Sequence, residues 1–386
     1  MATGNNKNDD LVTVDAFGTL NKLSLSITKH PDDLVSQDIY VSADITEPTE
    51  VKVSSAGAFS VGGKKLLALL NRVKGKYIKF SVIDSLINID YAKGKTFVTE
   101  DFGSSRKKST NTDITNGIAV FVNEKMLGEG ITSPLSYAHN DPTNILSNVI
   151  LEFEDGNLSI TGTDKTRMCS TMTKIESFMG GTPTTGKFVV SSDFIQTIKK
   201  LLSKTKTNSQ ATLRFTDTRA LCFVNEFSVI SKLIDSRELP DLSSIKNAMV
   251  LGSVTFTVKA MLNSMDSLRK SMGKLDDYVV LKLDTKVSKA VLTDDSSEHT
   301  GSIFNITMQD MVVFPDNGGE TDDDNGCIFL EFMTKNLSGL FKELNKSVTS
   351  VTLNLLGLSQ DTTNTIKAGR ITLNNSSSFI CVANRI

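Results

Sequence analysis

The sequence predicts an α+β protein assembled from three similar domains within 386 residues. Two observations predict it. First, one compound pattern occurs at 59–98, 188–234 and 329–386: a short apolar strand, an amphipathic helix, then strands of alternating polarity. Second, aligning Val61, Val190 and Phe332 brings the helix positions into register. Leu66 then matches Ile195 and Leu337, Leu69 matches Ile198 and Leu340, and Val73 matches Leu202 and Leu344. The anchors stand 129 and 142 residues apart. That is a domain length, well beyond the period of about 20–50 residues that marks a solenoid. Three unrelated strand–helix–strand units would be the alternative, and the shared register argues against it.

The domains are expected at 8–110, 116–247 and 248–386. In the first, "FSVGGKKLLALLNRVKG" gives a strand and then a helix whose Leu66, Leu69 and Val73 lie at i, i+3 and i+7, one helical face. In the second, "FVVSSDFIQTIKKLLSK" repeats this with Ile195, Ile198 and Leu202. In the third, "FLEFMTKNLSGLFKELNK" repeats it with Leu337, Leu340 and Leu344, and a further helix is expected over 257–274, "TVKAMLNSMDSLRKSMGK". No opening helix is legible in 1–57 or 116–139.

Composition suits a soluble globular chain, with 39% hydrophobic and 6% aromatic residues. Lys and Arg number 42 against 44 Asp and Glu, so any nucleic-acid contact must come from local clustering and not from net charge. Cys169, Cys222, Cys327 and Cys381 are far apart in apolar runs, which suits buried thiols in a reducing compartment. His30, His139 and His299 are scattered, so neither a metal site nor Ser/His/Asp chemistry is expected, and nothing calls for a cofactor. The polar start "MATGNNKNDD" has no signal-peptide core, and no apolar run reaches the ~18 residues of a membrane span. The expected setting is the cytoplasm, or the cytoplasm of an infected cell, with no membrane partner.

The helices are basic on their polar sides. The cations are Lys64, Lys65, Arg72, Lys74 and Lys76 in the first, and Lys199, Lys200, Lys204 and Lys206 in the second. The 257–274 helix carries Lys259, Arg269, Lys270 and Lys274, and the last helix Lys335, Lys342 and Lys346. Any one such face is explained by solvation and by cations near a helix C-terminus offsetting its dipole. Repetition at equivalent places in a chain of net charge −2 points instead to reading a DNA backbone.

The stretch "NLSITGTDKTRMCSTM" (157–172) sets a polar Thr163-Asp164-Lys165-Thr166-Arg167 cluster between apolar strands. A hairpin turn, an acid–base pair or the wall of a binding pocket would each read this way. Two other motifs are set aside. "GTPTTGKF" (181–188) has the glycine and lysine spacing of a phosphate loop, but Phe188 follows the lysine and a strand follows in place of a helix. "ETDDDNG" (320–326) lacks the closing Glu of a calcium loop and reads as a solvated connection.

The segment "NILSNVILEFEDGNLSITGTDKTRM" (144–168), with its Asp155-Gly156 turn and Thr163-Asp164-x-x-Arg167-Met168, resembles the second domain of the bacterial β sliding clamp, the DNA polymerase III β subunit family. "SKLIDSRELPDLSSI" (231–245) is similar to the segment that closes that domain, with Pro240-Asp241 at the family position, and "FICVANRI" to the family's last strand. The resemblance covers about 140–245 and 250–386 and does not reach 1–57 or 116–139.

The resemblance implies three clamp domains per chain, helices lining the inside and antiparallel sheets outside, half of a ring closed by a second copy head to tail. Sheets paired across chains would hide strand edges that otherwise stay open. It implies a non-enzymatic processivity factor that encircles duplex DNA without sequence preference and tethers the replicative polymerase. The clamp loader and other proteins carrying clamp-binding peptides are further implied partners. It also implies a peptide pocket of Leu146, Thr163, Arg167, Met168, Pro240, Ile245, Ile380 and Val382, and a DNA-facing set of Lys64, Lys65, Arg72, Lys199, Lys200, Lys204, Lys259, Arg269, Lys270, Lys335 and Lys342. Lys165, Thr166 and Ser244 depart from the family's usual residues, so the preferred peptide is expected to differ, as in a phage-encoded clamp. A clamp-like scaffold for transcription or repair proteins is the alternative. A nucleotide-dependent enzyme would rest only on the rejected phosphate loop.

Overall fold

A computed structural model describes residues 11–17, 22–29, 39–45, 57–73, 78–84, 86–92, 95–100, 117–141, 143–179, 185–203, 209–225, 227–239, 242–272, 277–284, 288–294, 301–309, 327–346, 348–357, 366–373 and 376–381. The chain divides into two compact units. One is Met1–Leu135, Asn148–Ser159 and Thr173–Ser236, and the other is Ser136–Ser147, Ile160–Met172 and Arg237–Ile386.

The first unit opens with β1 (Leu11–Phe17), β2 (Lys22–Lys29) and β3 (Ile39–Ile45), then β4 (Gly57–Gly62), α1 (Gly63–Leu70), β5 (Lys79–Ile83), β6 (Leu86–Ala92) and β7 (Lys95–Glu100). It continues with β8 (Ile118–Asn123), α2 (Glu124–Tyr137), β9 (Val149–Glu154), β10 (Asn157–Thr163), β11 (Arg167–Met179), β12 (Thr185–Val190), α3 (Ser192–Leu202), β13 (Gln210–Phe215), β14 (Arg219–Val224) and β15 (Phe227–Lys232); the ends of α2 and β10 and the start of β11 belong to the second unit. α2 and α3 each start where a strand stops, and a local side chain takes up their first free N–H groups. Asn123 Oδ1 accepts from the amides of Lys125 and Met126 at the head of α2. Ser191 Oγ accepts from the Phe194 amide at the head of α3, which buries Phe194, Ile195 and Ile198. The β9–β10 hairpin turns on Asp155 and Gly156, both at positive φ (48° and 76°), the two-residue geometry that matches strand twist.

The pairing is crossed. β8 pairs with β13 and β9 with β12, all antiparallel, so two strand–helix–strand halves exchange strands. Phe153, Phe188 and Phe215 fill the space between, with Phe188 stacked on Phe215 at 4.4 Å. Around α1 a smaller core gathers Val14, Phe59, Val61, Leu66, Leu69, Ile87 and Ile89.

The second unit adds α4 (Ser243–Lys246), β16 (Met249–Thr257), α5 (Val258–Met272), β17 (Tyr278–Asp284), β18 (Lys289–Asp294), β19 (Gly301–Asn305), β20 (Thr307–Gln309), β21 (Cys327–Met333), α6 (Thr334–Leu344), β22 (Ser350–Gly357), β23 (Ile366–Leu373) and β24 (Ser376–Cys381). The same exchange occurs: β16 pairs with β22 and β17 with β21. α5 and α6 pack on one another over one core, to which α5 gives Val258, Met261, Met265 and Leu268, and α6 gives Leu337, Leu340, Phe341 and Leu344.

One expectation about helices changes. The stretch 116–139 does hold an opening helix, α2, which buries Leu127 and Ile131. Gly128, Gly130 and Pro134 lower its intrinsic propensity and obscure it in the sequence. At the start of the chain β1 and β2 pair as far as Phe17 and Lys22, and the residues between them lie outside the described residues. In the GTPTTGKF motif, Gly186, Lys187 and Phe188 lie in β12, with Lys187 3.7 Å from Glu152, so no helix N-terminus follows the lysine.

Candidate functional site

The turn between β10 and β11 is closed by its own side chains. Asp164 Oδ1 accepts from the Thr166 amide, the Thr166 hydroxyl and the Arg167 amide at 2.8–3.0 Å, and its Oδ2 meets Arg167 Nε at 2.8 Å. Thr163 Oγ1 donates to the Arg167 carbonyl and accepts from the Lys165 amide. Burial disfavours the charged Asp164 carboxyl. Hydrogen bonds from Arg167 and Thr166, with the guanidinium charge, outweigh that and hold it below the usual carboxylate range.

Distant residues fix this turn within the second unit. The Arg167 guanidinium lies 5.0 Å over the Tyr137 ring. Asn336, in the first turn of α6 and 6% exposed, donates to Thr166 Oγ1 at 2.7 Å. One turn on, Gly339 lies beside the guanidinium: a Cβ placed there would stand 3.8 Å from Arg167 Nη1, an ordinary contact distance. Antiparallel pairing sets Arg167 opposite Ile380 and Met168 opposite Phe379. The His139 amide donates to the Leu146 carbonyl, tying Leu146 to the segment that carries Tyr137.

Of the expected pocket residues, Thr163, Arg167 and Met168 share this turn, and Ile380 reaches it by strand register. Met168 and Leu146 are only 2% and 1% exposed, so both lie beneath the surface. Ile245 is half-buried on α4 beside exposed Ser244. Pro240 and Val382 lie outside the described residues. Tyr137, Asn336 and Gly339 were missed by sequence reasoning. Asn336 left one usable signal: it stands four residues before Leu340, a polar residue on the apolar stripe of α6.

Of the basic set, Lys64 and Lys65 are exposed on α1, Arg72 just past its end, and Lys200 on α3, where Lys199 is half-buried. Lys259, Arg269 and Lys270 are exposed on α5, and Lys335 and Lys342 on α6. Arg269 pairs with Asp266 at 3.1 Å, an exposed pair. Lys204, with Lys74, Lys76, Lys206 and Lys274, lies outside the described residues. α2 differs from its counterparts, carrying Glu124 and Glu129 against Lys125. Among the described residues no cluster of His, Cys, Asp or Glu could hold a metal, and no helix is long and apolar enough to cross a membrane.

No protein-family model matches the sequence, and no curated protein matches it. Solved structures do. A DNA polymerase sliding clamp from Bacillus subtilis is similar with a TM-score of 0.72 at 14% identity, over 97% of this chain and 91% of that one. The DNA polymerase III β subunit of Thermotoga maritima gives 0.72 at 14% identity over 100% and 94%. The Helicobacter pylori β clamp, solved bound to a DNA ligase peptide, gives 0.67 at 16% identity over 99% and 94%. The chain therefore has the fold of the DNA polymerase III β subunit, the bacterial sliding clamp.

Proposed function

We propose that the chain is a DNA sliding clamp, a non-enzymatic ring that encircles duplex DNA and tethers a replicative polymerase. The observation that carries this reading is that the likeness to clamps runs nearly the full length of both chains. A ring confers processivity by topology, so it needs only loose, sequence-independent phosphate contacts. The exposed cations of α1, α3, α5 and α6 would supply them. The domains would be 8–110, 116–247 and 248–386, and the setting the cytoplasm of a bacterium or a phage-infected cell.

Ring closure by a second copy is supported by strand edges. In the crossed arrangement the closing strands of halves make the outward joins: β11 pairs with β24, and β15 with β3. β7 and β19 hold corresponding places, and among the described residues each pairs only within its own small sheet. Each exposes an aliphatic side chain, Val98 at 51% and Ile303 at 65%. β7 of one copy against β19 of the next would cover both edges head to tail. Light scattering tests this: the native chain should show twice the chain mass, and Ile303→Pro, which removes an edge N–H, should show a single chain with its fold intact. A native monomer at micromolar concentration would contradict the ring.

The Thr163–Met168 turn, with Leu146, Pro240, Ile245, Ile380 and Val382, would form the pocket for short peptides from the polymerase, the clamp loader and other clamp-binding proteins. The peptide held by the Helicobacter pylori clamp supports this use of the fold. Half-buried Ile245, with Ile380 and Val382, would grip a Leu or Phe anchor, with Leu146 and Met168 as the floor beneath.

A further inference from the structure

The second and third repeats show what surrounds the strand that follows the later helix. β8 pairs antiparallel with β13, which follows α3, and β16 with β22, which follows α6. Each covering strand leads straight into a helix that lies on the later one: Gly128 of α2 stands beside Leu202 of α3, and α5 packs on α6. In the first repeat the strand after α1 is β5, and among the described residues it pairs only with β6. Among those residues the elements before α1 are all strands, and β1 with β4 makes the pairing that β9 makes with β12.

Burial follows this difference. Val82 lies opposite Ile87 on the core face of β5, yet it is 46% exposed, whereas Leu213 of β13 and Leu353 of β22 are buried. Aligning Val61 with Phe332 sets Leu70 in register with Phe341. Phe341 is 1% exposed and meets the Phe256 ring of β16 at 5.6 Å, but Leu70 is 38% exposed, and Leu67 beside it is exposed as well. The strand edge and the apolar flank of the helix are thus open together, at the two places that one strand–helix segment covers elsewhere in the chain.

We propose that β5 and α1 form a docking surface for a segment of another protein, an extended strand of alternating apolar residues followed directly by an amphipathic helix. The strand adds to the edge of β5 through main-chain hydrogen bonds and covers Val82, and the helix covers Leu67 and Leu70. The two templates set its size, a strand of 6 or 9 residues and a helix of 14 or 15. A second copy of this chain has no such segment to spare among its described residues. β8 is already paired with β13 and β11, and β16 with β22 and β20.

Hydrogen exchange of the full chain tests this, measured alone and with a synthetic peptide of residues 249–272, the strand–helix segment of the third repeat. Alone, the amides of β5 should exchange faster than those of β13 and β22. Saturating peptide should slow exchange in β5 and α1 by about tenfold or more and leave β13 and β22 unchanged. Val82→Lys, at an exposed position, should abolish that protection without moving the melting temperature. If β5 in the chain alone is as protected as β13, the chain or a second copy already covers the edge, and the proposal is overturned. A peptide that leaves β5 unprotected, or protection that survives in Val82→Lys, would overturn it as well.

Discussion

Two turns of this chain share nearly the same letters and have different fates. Thr163-Asp164-Lys165-Thr166-Arg167 joins β10 to β11, and Thr216-Asp217-Thr218-Arg219 joins β13 to β14. In both, the threonine hydroxyl receives an amide inside the turn and faces the arginine carbonyl. In the first, one added residue lets the aspartate fold back onto Thr166 and Arg167, and Tyr137 and Asn336 clamp the outcome. In the second, Asp217 and Thr218 are exposed. The motif makes a turn, and neighbours supplied by distant parts of the chain make it a candidate site.

The largest expected effect separates the floor from the rim. Met168 is 2% exposed, so Met168→Asp should cost at least about 3 kcal/mol through an unpaired buried carboxylate. Thermal melting would fall together with peptide binding. An unchanged melting temperature would mean that Met168 is open to solvent in solution and forms a surface floor.

Next come the two arginines. Arg167→Ala removes the ion pair and the contact with Tyr137 and leaves Asp164 half-buried, for an expected loss of about 1–2 kcal/mol in urea unfolding. Arg219→Ala should stay within about 0.5 kcal/mol. Equal losses would erase the distinction between the turns.

The smallest effect is in pH. The Asp164 carboxyl is held below its ordinary 3.8 in the folded chain, so its charged form stabilises the fold above that pH. The contribution disappears as pH falls through the depressed folded value. Melting curves of the native protein and Asp164→Asn should therefore differ at neutral pH, native higher, and converge on acidification. A gap that widens in acid would reverse the sign and the argument.

The repeat was legible because burial follows period: the anchors Val61, Val190 and Phe332 are fully buried, and Leu66, Ile195 and Leu337 sit beneath their helices. The 257–274 helix appears as 258–272. α2 was missed because its glycines and proline dilute the helical signal that packing then supplies. At the site, the turn itself was legible because its contacts are local. Asn336 was not, because it meets Thr166 from 170 residues away, and such a contact leaves no spacing to read.

The central claim is a ring closed around DNA, and topology tests it most directly. The chain is assembled on nicked plasmid circles with its cognate loader, and the circles are then isolated by gel filtration at high salt. The account predicts that protein stays with the circles and is lost when one restriction cut linearises them, because a loosely held ring slides off an end. Equal retention before and after the cut would show binding through contacts alone and would contradict the clamp.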